Sequence, residues 1–156
     1  MVIKGNVILF NCKNLVKLKG ITEIEGNLNL YGCSKFKDLG KLEKVGGDLD
    51  LGDTPIKSLG NLKEVGRSLD LRDTQIKDLG KLKKVGVNLD LSNTLVISLG
   101  NLEYISWNLN LYNTPLDNLG DLKEVKNRLF LSKDSKITKE YVKEHKPELF
   151  WNCIWL

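Results

Sequence analysis

Asp50, Asp70 and Asp90 recur at intervals of twenty residues, each set between two leucines, and no other residues here are so well placed to act together. Carboxylates sharing one face can serve acid and base catalysis, hold an oxygen-ligated cation such as Ca²⁺, or receive Lys and Arg from a partner. Catalysis needs a second group of separated pKa in a dry pocket, and the sequence offers little toward one. Its single histidine, His145, stands in the terminal stretch KEHKP. HExxH, CxxC, a nucleophile elbow and a G-x-x-x-x-G-K-[ST] phosphate loop are all missing. No loop has established metal-ligand spacing, so no metal or other cofactor is expected. The chain therefore reads as a non-enzyme whose aspartates bind and do not react.

An interval of twenty residues calls for an element that repeats with that period. Aligned on an L-x-L pair, the chain runs Val7/Leu9, Leu28/Leu30, Leu49/Leu51, Leu69/Leu71, Leu89/Leu91, Leu109/Leu111, Leu129/Leu131 and finally Leu149/Trp151. The first two steps are 21 residues and the later ones 20. The unit is V-G-x-x-L-x-L-x-x-T-x-I-x-x-L-G-x-L-x-x. LDLRD alternates with period two, which predicts a short strand with one face buried. The apolar residues that follow come about every third position, which suits tight turns and short 3₁₀ or extended segments. One coil cannot bury both sets, so coils must stack, with a parallel sheet on one side and turns on the other.

The LxLxxTxI core, together with ITEIEGNLNL and KEVGRSLDL, resembles the leucine-rich repeat and the related repeats of receptor L domains, over about residues 2–137. Thr stands where that family most often has Asn, and its cysteine caps are missing. The resemblance implies an α/β-type repeat solenoid with one parallel β-sheet on the concave face and a mostly irregular or 3₁₀ convex side. A right-handed β-helix follows from the same stacking logic. Within the repeat, Cys12, Cys33, Thr54, Thr74, Thr94 and Thr114 fall where the chain turns inward after each strand. A small side chain fits there, and a hydroxyl can satisfy backbone groups that water cannot reach. Cys12 and Cys33 are accordingly expected as buried small residues.

In such a fold the residue between the paired leucines points outward, giving the column Ile8, Asn29, Asp50, Asp70, Asp90, Asn110, Phe130 and Phe150. Asp48, Asp53 and Asp73 flank it, with Arg72 as the one cationic neighbour. Trp107, Tyr112, Phe130 and Phe150 make the C-terminal part of the face aromatic, near Arg128, while Phe10 and Tyr31 share the column of Tyr112. Grouped outward aromatics and arginine mark binding surfaces. The expected function is binding another protein, one with a basic patch, on this concave face, as adaptor or inhibitor. Asp50, Asp70, Asp90, Asp73, Arg72, Trp107, Tyr112 and Phe130 are the residues expected to carry it. The alternatives are a structural protein assembling through open ends, and a Ca²⁺- or glycan-binding module. Lysines dominate the segments between strands, so the net charge of +4 lies away from the most ordered face and no nucleic acid is expected.

At 156 residues, 41% hydrophobic and 28% charged, the chain is one ordinary domain. We expect a solenoid of about seven coils over 1–137 and a C-terminal cap over 138–156. ITKEYVKEHKPEL suggests a short helix from about 138 to 145 with Thr138 as N-cap. LFWNCIWL then suggests a last strand that lays Trp151, Ile154 and Trp155 over the final coil. At the other end VIKGNVIL is an unprotected strand edge, where a second copy can pair to give a homodimer. Neither a signal peptide nor a membrane span is evident, and the odd count of three cysteines suits a reducing compartment. The expected location is the cytoplasm.

Overall fold

A computed structural model describes all 156 residues as a parallel β-solenoid. Each coil contributes two short strands. They are β1 Val2–Ile3 and β2 Val7–Ile8, β3 Glu23–Ile24 and β4 Leu28–Asn29, β5 Lys44–Val45 and β6 Leu49–Asp50, then β7 Glu64–Val65 and β8 Leu69–Asp70. The later coils add β9 Lys84–Val85 and β10 Leu89–Asp90, β11 Tyr104–Ile105 and β12 Leu109–Leu111, and β13 Glu124–Val125 and β14 Leu129–Leu131. The even strands β2 to β14, together with β15 Cys153–Trp155, form an eight-stranded sheet; the odd strands β1 to β13 form a second, seven-stranded one. We call them the aspartate sheet and the charge-ladder sheet.

The charge-ladder sheet lies where the repeat pattern predicted turns and short 3₁₀ or extended segments but no second sheet. Its strands are two-residue pairs such as Glu64–Val65, one residue pointing to solvent and the valine fully buried. Twenty-residue steps hold successive coils in register, so these pairs meet at the ordinary strand spacing and bond even though each is too short to signal a strand alone. The buried positions form one cluster of 39 residues along the whole stack. In the central coil Leu69, Leu71, Ile76, Leu79, Leu82 and Val85 are each 1% exposed or less.

Three corners bend each coil, one of them at the left-handed glycines Gly40, Gly60, Gly80, Gly100 and Gly120. Between the sheets, a Cβ on Gly66 would lie 2.1 Å from the Gly46 carbonyl oxygen, so the backbones there are too close for a side chain. Ser106 and Lys126 hold the same place in later coils, so this restriction belongs to the earlier ones. The second corner puts Asn11, Asp53, Asp73, Asn93 and Asn113 at φ between 53° and 58°, a left-handed conformation that Asn and Asp accept more readily than other side chains. The following threonine then closes the turn. Thr54, Thr74, Thr94 and Thr114 donate their hydroxyls to the carbonyls of Leu51, Leu71, Leu91 and Leu111 at 2.6, 2.7, 2.7 and 2.9 Å. The inward place argued for the threonine column is therefore correct. Thr74→Val is expected to lower stability by about 1 kcal/mol in urea melts, since the Leu71 carbonyl still receives the Thr74 N–H.

The two 21-residue coils are the ones with cysteine at this corner. Cys33 precedes the next buried residue, Phe36, by three positions, whereas Thr54 precedes Ile56 by two. The extra residue is thus taken up in the turn and leaves the strand register intact.

Past β14, helix α1 spans Lys139–His145, with the Thr138 hydroxyl accepting the Tyr141 N–H at 3.1 Å. A 3₁₀ turn over Pro147–Asn152 leads into β15. The predicted L-x-L pair Leu149/Trp151 is not a strand: both residues sit in the 3₁₀ turn, Leu149 buried and Trp151 88% exposed. The strand that covers β14 starts four residues later and pairs Leu129 with Cys153, Phe130 with Ile154 and Leu131 with Trp155. Proline at position 147 favours the 3₁₀ start, because it has no N–H to continue a ladder.

Candidate functional site

The aspartate sheet places Ile8, Asn29, Asp50, Asp70, Asp90, Asn110 and Phe130 in one file, each paired in register with the next. The file ends on Ile154 and not on Phe150, which lies in the 3₁₀ turn with its ring edge-on to Trp151. Each polar member has a local task. Asp50, Asp70 and Asp90 accept the N–H two residues on, from Gly52, Arg72 and Ser92, at 3.1, 3.0 and 2.9 Å. Asn29 and Asn110 accept the N–H groups of Tyr31 and Tyr112 in the same way, both at 3.0 Å. Such side chains bend the strand end toward the corner.

The carboxylates are half-buried. Loss of hydration pushes the Asp50 carboxyl above its usual range, against the pull of the Gly52 N–H. Asp70 is raised to about 6, chiefly by burial, although the Arg72 N–H and guanidinium hold it down. The charges of Asp50 and Asp90 on either side add to the rise. Arg72 Nη2 reaches Asp70 Oδ2 at 2.9 Å. It is not the only cation on this side: Arg67 approaches Asp48 at 3.6 Å.

The other predicted site residues separate into two places. Asp73 occupies the left-handed corner, where its Oδ1 accepts from Asn93 at 3.0 Å, while Asn113 donates to Asn93 at 2.9 Å. Tyr112 and Phe130 meet at an open cleft of about 380 Å³ that Ser92, Asn93, Asn110 and Leu156 complete. Leu156, the last residue, was not among the sequence candidates; it enters because β15 extends the sheet past β14. Trp107 does not join them. It stands in the bend between β11 and β12, 51% exposed, at the opposite end of its strand from Tyr112.

The charge-ladder sheet has a separate file of outward residues, Glu23, Lys44, Glu64, Lys84, Tyr104 and Glu124, which sequence reasoning had left in the segments between strands. Lys44 stands 4.0 Å from both Glu23 and Glu64, and Lys84 3.8 Å from Glu64. Beside it Lys63 pairs with Glu43 at 2.6 Å, and Lys123 pairs with Glu103 while standing over the Tyr104 ring. Exposed pairs of this kind contribute little each, but they leave this face neutralised along its length. The signal was present in the residue preceding each "VG" valine, which changes sign from coil to coil.

Cys33 and Cys153 are absorbed into packing, Cys12 is half-buried, and His145 is exposed. Cys33 is buried, donates to the Leu9 carbonyl at 2.9 Å, and has its thiol pKa raised by burial. Burial also pushes the Cys153 thiol up to about 11. His145 stacks on Tyr141 with ring centroids 4.6 Å apart. No three or more His, Cys, Asp or Glu side chains are grouped to hold a metal ion, and no helix is long and apolar enough to cross a membrane.

Comparison with protein families, curated proteins and solved structures finds no match to this chain.

Proposed function

We propose that the protein binds a partner protein through the outer face of the aspartate sheet, with Asp50, Asp70 and Asp90 receiving basic side chains. The observation that carries this reading is a comparison inside the chain. Asn29 and Asn110 make the same turn bond as the three aspartates without any charge. A carboxylate is therefore not needed for the fold, and at Asp50 and Asp70 its ionisation is opposed by burial. Three charges kept side by side where amide side chains would serve point to a ligand that needs the charge. A Lys or Arg from a partner offsets that unfavourable burial in a way water does not.

The cleft of Tyr112, Phe130 and Leu156 lies two coils from Asp70 on the same sheet and supplies apolar anchoring. Trp107 and Arg72 border the face, and Asp73 its corner. The aspartate sheet is the part that agrees with likeness to the leucine-rich repeat, a family whose sheets present binding faces; the second sheet departs from it. A chain that is scaffold throughout acts by occupying its partner, as an adaptor or an inhibitor. A Ca²⁺ role fits less well, because each aspartate already gives one oxygen to its own backbone.

Replacing Asp50, Asp70 and Asp90 together by Asn keeps the turn bonds and removes the charge. Partners recovered from native lysate by the parent protein are expected to fall about tenfold with this variant and with Tyr112→Ala. Recovery by the parent is also expected to fall as salt rises. Equal recovery by all three proteins at every salt concentration would reject the aspartate face as the binding surface.

A further inference from the structure

The two ends of the solenoid differ. At the C-terminal end β15, α1 and the 3₁₀ turn cover the last coil, and Leu129, Leu131, Ile137 and Val142 are fully buried. At the other end Ile3, Val7, Leu9, Cys12 and Leu15 are only partly buried, whereas Ile24, Leu28, Leu30, Cys33 and Phe36, which hold the same places one coil on, are at 0% exposure. Strands β1 and β2 are the terminal members of their sheets.

The hydrogen-bond ladder shows what is missing at that edge. In the second to sixth coils, three carbonyls of the aspartate sheet each receive an N–H from the coil before. In the second coil these are Asn27, Asn29 and Tyr31, bonded by Val7, Leu9 and Asn11 at 2.8, 2.8 and 2.7 Å. In the third they are Asp48, Asp50 and Gly52, bonded by Leu28, Leu30 and Gly32 at 2.8, 2.8 and 3.0 Å. Asn6, Ile8 and Phe10 hold those places in the first coil, and no strand of the structure lies on their side of β2. The edge thus presents three carbonyl acceptors, alternating with backbone N–H groups, beside a half-covered apolar floor, with Ile8 and Phe10 exposed at 55% and 59%.

Charge decides what suits it. Residues 1–22 contain Lys4, Lys13, Lys17 and Lys19, all exposed, and no Asp or Glu. None of the four is in an ion pair, unlike Lys44, Lys63, Lys84 and Lys123 farther along. We propose that this edge binds an extended acidic segment of a partner protein by strand addition. The segment donates its backbone N–H groups to Asn6, Ile8 and Phe10, lays alternate apolar side chains over Val7 and Leu9, and brings carboxylates to the lysines. A second copy of this chain is the poorer occupant, because its matching end carries the same unpaired lysines and would meet them charge against like charge. This surface is at the far end of the stack from the Tyr112 cleft and stands whether or not the aspartate face binds.

The test is fluorescence-anisotropy titration of the full chain with short acetylated peptides. One alternates glutamate and leucine; the second has lysine for glutamate; the third is the glutamate peptide with N-methylated alternate amides. The glutamate peptide is expected to saturate and to bind about tenfold or more tighter than either of the others. Its amide shifts in nuclear magnetic resonance spectra are expected to concentrate on residues 2–13. Lys4→Glu with Lys13→Glu, both surface changes, is expected to weaken it about tenfold, while Tyr112→Ala leaves it unchanged. The proposal is overturned by equal binding of the glutamate and lysine peptides, by no saturation at millimolar peptide, or by shifts centred on another face. It is overturned equally by a dimer mass at micromolar protein that the glutamate peptide does not dissociate.

Discussion

Asp70→Asn is expected to make the protein more stable by about 2–3 kcal/mol at neutral pH and to leave it unchanged near pH 3. The reason is the burial of the carboxyl, whose side chain is 24% exposed and whose pKa rises from an ordinary 3.8 to about 6 in the folded chain. At about 1.4 kcal/mol per pKa unit, holding this group ionised in the fold costs roughly that much relative to the unfolded chain. The attraction of Arg72 is already contained in the net value, so losing that ion pair does not subtract it again. The amide keeps the Oδ1 that accepts the Arg72 N–H, as Asn29 and Asn110 show in their own coils.

The direction with pH follows from which state holds the proton more tightly. Between about pH 4 and pH 6 the folded chain keeps a proton on Asp70 that the unfolded chain has lost, so stability falls as pH rises through this window. Below it both states are protonated and the contribution is full; above it both are ionised and the contribution is gone. Asp50, also raised by burial, adds a change of the same sign. Urea melts of parent and Asp70→Asn from acid to neutral pH give the check. The two midpoints are expected to coincide in acid and separate with rising pH. A constant separation would mean that the effect comes from the turn and not from the charge. The same measurement bears on function: a partner that places Lys or Arg on Asp70 should lower its pKa and flatten the slope.

The twenty-residue interval was enough to read the stacked coils, the aspartate file and the threonine turns, because each depends on period alone. Asp50, Asp70 and Asp90 stand in line since nothing between them changes length. The charge-ladder strands were legible only as short extended segments, not as a sheet. Lys84–Val85 carries a single buried residue, whereas Leu89–Asp90 is followed by the buried Leu91, which completes the alternation that marks a strand. The half-burial of the aspartates was not legible either: period two shows only that they point outward, whereas the Asx bond folds each carboxylate back onto its own strand end. The aromatic grouping failed in part where it crossed a corner. Trp107 and Tyr112 share a coil but flank opposite ends of β12, and only Tyr112 reaches Phe130 and Leu156. Leu156 had no signal in the repeat, because it follows the break at Pro147.

Leu71→Ala is expected to destabilise the protein by about 4 kcal/mol, lowering its melting temperature by roughly 10 °C for a domain of this size. Leu71 is fully buried, with Leu51 and Leu91 at the same depth in the neighbouring coils, all at 0% exposure. Its removal leaves a cavity walled by two fixed ladders, which cannot close without breaking the register of the strands. Leu9→Ala takes the same atoms from the same place in the first coil, where the side chain is only partly covered. The loss there is expected to be less than half as large. In a stack, each coil is held by its two neighbours and no contact skips a coil. A central cavity therefore weakens both junctions at once, while a terminal one weakens a single junction that is already open to water. Native-state hydrogen exchange separates the two cases: Leu9→Ala should speed exchange in the first two coils only, and Leu71→Ala should speed it through the central coils on both sides. Equal losses for the two variants would show that the ends are as tightly held as the middle, and would remove the exposed edge on which strand addition at β2 depends.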